Sequence, residues 1–190
     1  MANDSAIAID KQKFIARLNA WKARQHDDKP IFYIINTSGG GIRSATFTFR
    51  TLQHIDSLMN GKLMSKTMII NGASGGMLGA AYYRALYLKK LNQDTINLQS
   101  ATYLDDISKD LLNPIFSSFV ARDVIAPVQK FMLGNNTYVK DRAYAFEKKL
   151  NVNTHGLLDR SMDADRVAEE TALMPTMFYN AVITRDGRKM

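Results

Sequence analysis

The stretch IFYIINTSGGGIRSATF, residues 31–47, and its counterpart TMIINGASGGMLGAAYY, residues 67–83, decide how this chain is read. Each opens as a short, largely apolar run, Ile31 to Ile35 and Thr67 to Ile70, of the kind expected for buried parallel strands. Each then breaks into glycine and small polar residues and resumes with apolar side chains at helical spacing. The first helix is expected over Ile42 to Met59, where Phe47, Leu52, Ile55 and Leu58 can share a face and Asn60-Gly61 supplies the stop. The second is expected over Met77 to Leu91. Two successive strand, turn and helix units predict an α/β fold: helices covering a mainly parallel central sheet in three α/β/α layers.

Working outward, Lys11 to Ala23 places Phe14, Ile15, Leu18 and Trp21 at the spacing of an amphipathic opening helix, and His-Asp-Asp-Lys-Pro marks a turn before the first strand. Downstream, Pro114, Pro127, Gly134 and Gly156 interrupt helical-looking segments such as Tyr103 to Leu112 and Asp141 to Leu150. Residues 92–165 are therefore expected to form a helical insertion or lid. Thr176 to Thr184 reads as a further strand, and Arg185-Asp186-Gly187-Arg188 as a hairpin turn opening another. That pattern is expected of one domain over residues 1–190, with its remaining part beyond Met190.

Composition narrows the function classes. Hydrophobic residues make up 46% and charged residues 23%, ordinary for one globular domain. There is no cysteine, and the three histidines, His26, His54 and His155, are too scattered for a metal-ligand motif, so neither a disulfide framework nor a metal or other cofactor is implied. The first residues lack the basic start and apolar run of a secretory signal, which leaves a cytoplasmic or peripheral-membrane location as the expectation. Met68 to Leu88 is the most apolar window, yet Arg84 and its glycines mark strand, turn and helix rather than a membrane span. Lysine and arginine total 25 against 18 acidic residues, a net charge of +7 that suits an anionic surface such as phospholipid headgroups or nucleic acid, or, since it is spread along the chain, a merely basic surface.

The chemistry lies in the two turns. Gly72-Ala73-Ser74-Gly75-Gly76 matches G-x-S-x-G, the nucleophile elbow, in which a serine occupies a sharp strand-to-helix turn with its hydroxyl exposed. Its neighbours must be small because strand and helix pack closely behind it. Thr37-Ser38-Gly39-Gly40-Gly41-Ile42-Arg43 ends the preceding strand, so a parallel sheet brings both turns to the same edge. Consecutive glycines let backbone amides converge on one oxygen, as an oxyanion hole requires, and Gly40 and Gly41 are the candidates with Gly39 beside them. Nucleotide binding fits less well: the glycines do not form G-x-G-x-x-G, and no G-K-[ST] follows. A nucleic-acid partner is not expected.

The pair SGGGIRSATF and GASGG, each after an apolar strand, resembles the signature of the patatin-like and cytosolic phospholipase families. The likeness is close over Ile31 to Leu91, returns at Leu173 to Arg188, and is loose over residues 92–172. It implies a metal-free hydrolase of phospholipid or related esters, with Ser74 as nucleophile, Gly39 to Gly41 as oxyanion hole and Arg43 as a ligand for the substrate phosphate. It also implies a Ser-Asp dyad, whose aspartate stands in a later Asp-Gly-Gly or Asp-Gly-Ala motif. That motif is not found here. Asp186-Gly187-Arg188 has arginine where a small residue is expected and reads as a turn, so the aspartate is expected beyond Met190 and the chain alone is expected to be inactive or nearly so. Two alternatives stay open: an α/β-hydrolase triad of Ser74, Asp123 or Asp141, and His155, and a catalytically silent module that binds a lipid headgroup or a protein partner.

Overall fold

The computed structural model of the chain describes residues 4–93, 95–120 and 129–181. Its elements follow in the order α1 (Asp4–Ala23), β1 (Tyr33–Thr37), α2 (Gly41–Leu58), α3 (Leu63–Lys66), β2 (Thr67–Gly72), α4 (Ser74–Asn92), α5 (Ala101–Ser108), α6 (Leu112–Ser118), β3 (Lys130–Leu133), β4 (Asn136–Val139), α7 (Arg142–Asn153), α8 (Arg166–Glu170) and β5 (Thr176–Tyr179). The fold is mixed α/β. A small sheet in the order β1-β2-β5 is parallel throughout, and β3 and β4 form a separate antiparallel hairpin.

The two βα units form where the apolar runs place them. Alternation along the strands sets Ile35, Ile70 and Met177 side by side on one face of the sheet. There they meet Phe49 and Leu52 of α2 and Tyr83 and Leu86 of α4 in the main core. Phe49 stacks on Tyr82 at 5.3 Å and meets Tyr83 edge-on at 5.5 Å between ring centroids. Asp56 of α2 is buried yet satisfied, accepting from the Tyr83 hydroxyl at 2.8 Å and from the Leu63 amide at 2.9 Å.

Two expectations need correction. The first apolar run is not a buried strand: among the described residues β1 pairs only with β2, and Ile31, Phe32, Tyr33 and Ile34 are all exposed. The opposite face of the sheet is open around Ile34 and Phe178, while α1 reaches its N-terminal end through Trp21 Nε1, which donates to Ser65 O at 3.0 Å, and Arg17, which donates to Met68 O at 2.9 Å. Residues 92–165 are not wholly helical either. The apolar trio Phe131 to Leu133 turns through Gly134, at φ 58°, into β4, because a glycine-first two-residue loop suits an antiparallel hairpin.

Arg84, in the middle of α4, is buried and ties the later segment to the core. It donates to Pro175 O and Asp165 Oδ2, both at 2.9 Å, and pairs with Glu169. Burial pushes the Glu169 carboxyl above the usual carboxylate range, a desolvation effect that outweighs the pull of Arg84 and Arg17. Among the described residues no helix is long and apolar enough to cross a membrane. The predicted turn at Asp186 to Arg188 lies outside the described residues.

Candidate active site

β2 ends at Gly72, Ala73 is extended, and α4 begins at Ser74 with φ 53°. A left-handed serine at this junction is the backbone of a nucleophile elbow, since the reversal exposes the hydroxyl at the carboxyl end of the strand. Ser74 is exposed to solvent although its neighbours Gly72, Gly75 and Gly76 are buried.

The glycine turn after β1 folds directly over it. A side-chain carbon on Gly39 would lie 3.2 Å from Ser74 Cβ and 3.7 Å from its Oγ, so the two turns are in contact. Gly40 at φ 142° and Gly41 at φ 62° carry the chain into α2, and Ser44 Oγ pins the loop by donating to Ser38 O at 2.7 Å. Gly75 and Gly79 are required by close approach: a methyl group on either would overlap the carbonyl of Gly41 or of Ala45. Gly72 and Gly76 similarly press on Thr37 and on the Ser38 carbonyl.

That interlock brings the N-termini of α2 and α4 to one place. Neither helix is capped by a side chain, Gly40 and Ala73 being the N-cap residues. Uncapped first-turn amides and the positive ends of two helix dipoles therefore face the same region, which favours an anion or a developing oxyanion. At the carboxyl ends of the strands an amide ladder fixes the spacing: Asn71 donates to Asn36 Oδ1 at 3.0 Å, and Asn180 donates to Asn71 Oδ1 at 2.7 Å.

Ser74, Gly40, Gly41, Arg43 and Gly75 line a common cavity of about 510 Å³. Its remaining walls are apolar: Ile42, Ala45, Met77 and Leu78 from the two βα units, and Ile107, Leu111, Leu112, Phe146 and Leu150 from α5, α6, α7 and the α5–α6 junction. No family model matches this chain, and no curated protein or solved structure is similar to it.

Among the described residues no aspartate, glutamate or histidine lines the cavity, and Arg43 is its ionisable group. Arg43 is exposed and makes no ion pair with a described residue. His155 is elsewhere. Its Nε2 lies 3.3 Å from the buried Asp106, and it lines a separate hollow with Phe131, Tyr144 and Val152. Asp141 caps α7, accepting from the Tyr144 amide at 3.0 Å. Asp123 lies outside the described residues. His26 and His54 are exposed, the latter on α2. Sequence reasoning missed the asparagine ladder and the walls from α5 to α7, since neither carries a local motif.

Proposed function

We propose that this chain carries the nucleophile of a lipid acyl hydrolase related to the patatin-like phospholipases. The observation that supports it most is the left-handed Ser74 at the head of α4, touching the Gly39 turn at the floor of an apolar cavity. In this reading Ser74 Oγ attacks the ester carbonyl carbon as a carboxylate base takes its proton. The carbonyl electron pair moves onto oxygen, where the Gly40 and Gly41 amides hold it. Collapse expels the alcohol, which takes the proton from the base, and water then cleaves the acyl-enzyme. Each amide is expected to contribute about 3 kcal/mol to the transition state. The apolar walls suit an acyl chain and Arg43 suits a headgroup phosphate, at the cytoplasmic or membrane-peripheral location expected from the sequence.

The finer assignment belongs with it. We read the sheet as part of a three-layer patatin-like domain of which these residues form the first portion, with the base carboxylate supplied from beyond Met190. Two features support this: no described carboxylate lines the Ser74 cavity, and among the described residues β1 and β5 each pair only with β2, with Ile34 and Phe178 exposed. The alternative, a histidine-dependent triad, is opposed by the placement of His155, which lines a hollow separate from the Ser74 cavity. Fluorophosphonate labelling of the full-length protein containing this chain separates them. Labelling is expected at Ser74, absent in Ser74→Ala and undiminished in His155→Ala. Labelling that survives Ser74→Ala ends the hydrolase reading, loss in His155→Ala transfers it to the triad, and lipid binding without turnover indicates a silent module.

A further inference from the structure

Large apolar side chains stand exposed at and near the Ser74 cavity. Leu112, which lines the cavity, is 68% exposed, and Phe116, one helical turn on along the same face of α6, is 71% exposed. On α2, Phe47 stands one turn after the cavity-lining Arg43 and is 73% exposed. Exposed apolar groups of this size, contiguous with a cavity, mark a binding surface rather than ordinary surface scatter.

Cations flank this ridge, with Asp110 and Glu147 as exposed acids beside them. Leu111 to Val120 contains no charged residue. The outward side of α2 carries Arg43 and Arg50, while its one acid, Asp56, is buried against Tyr83. On the other flank Lys148 and Lys149 line the groove between α6 and α7, beside Pro114 and Ser117. Asp110 is turned back onto α6, accepting from the Leu112 amide at 2.9 Å and the Asn113 amide at 3.2 Å. Apolar side chains flanked by cations suit a bilayer interface, where the former enter the acyl boundary and the latter meet anionic headgroups.

We propose that Phe47 of α2 and Phe116 of α6, with the flanking cations Arg43, Lys148 and Lys149, form a docking surface for an anionic lipid bilayer. The inference rests on the lipid-ester reading of Ser74 and adds the surface by which substrate is reached: docking sets the mouth of the cavity against the headgroups. The test uses the full-length protein carrying Ser74→Ala, so that turnover does not consume the lipid, and sedimentation with phosphatidylcholine vesicles with or without phosphatidylglycerol. Partition is expected to be about tenfold stronger on the anionic vesicles and to fall with added salt. Phe47→Glu and Phe116→Glu are each expected to lower it about tenfold. Circular dichroism checks that both remain folded, and Phe47→Ser and Phe116→Ser replace any that do not. Equal partition on both vesicle types, or undiminished partition in the folded variants, overturns the proposal. A concentration-dependent dimer dispersed by Phe116→Glu would assign the ridge to a second copy instead. Fluorophosphonate labelling of Ser74 in the full-length protein is independent of these outcomes, so the two readings fail separately.

Discussion

Ser74 occupies the left-handed region at φ 53°, a conformation that costs a residue with a side chain about 1 kcal/mol or more and is retained where the geometry serves the site. Replacing Ser74 with glycine removes that cost. The Ser74→Gly chain is expected to gain about 0.5–1 kcal/mol in unfolding free energy, read as a higher denaturant midpoint, while losing the proposed nucleophile. A midpoint that stays put or falls would show that the elbow is unstrained. At this scale the sequence was most informative, because an elbow is a local object: Gly72, Ser74, Gly75 and Gly76 lie within five consecutive positions. The amide ladder was not legible, since Asn36, Asn71 and Asn180 become neighbours only when three strands align.

At the scale of elements, α2 and α4 pack so closely that a Gly79 side chain would meet the Ala45 carbonyl. Gly79→Ala must therefore push the helices apart. It is expected to cost about 1–3 kcal/mol of stability, measured by chemical denaturation, although alanine is the better helix former by about 1 kcal/mol. Unchanged stability would mean that the interface yields freely. The helices were legible because their apolar spacing and glycine stops are written locally, as was the parallel pairing of β1 with β2. The exposure of β1 was not, because an apolar run reads alike at the edge and at the centre of a sheet. Nor was the β3–β4 hairpin, whose Phe131 stacks on Tyr138 and also meets Tyr144 of α7, contacts that set strand against helix only in three dimensions.

Across the whole molecule, burial pushes the hydroxyls of Tyr82 and Tyr83 well above the ordinary tyrosine range, and Asp106 and Asp56 add to it. The folded chain thus keeps protons that the unfolded chain releases near pH 10. The stability so gained is complete below that pH and declines as pH rises through the alkaline range. Melting temperature is expected to fall steeply above about pH 10, and Tyr83→Phe, which cannot ionise there, is expected to flatten the fall. Equal slopes would remove Tyr83 as a cause. The meeting of the two glycine turns also bears on how the protein can change. Because main chain touches main chain where Gly75 meets Gly41, the geometry of the two turns is held by atoms that every amino acid shares. Side chains around the cavity, such as Met77, Leu111 and Phe146, are left at liberty to vary, so in the proposed hydrolase substrate preference could drift by ordinary point mutation while the two turns stay in place.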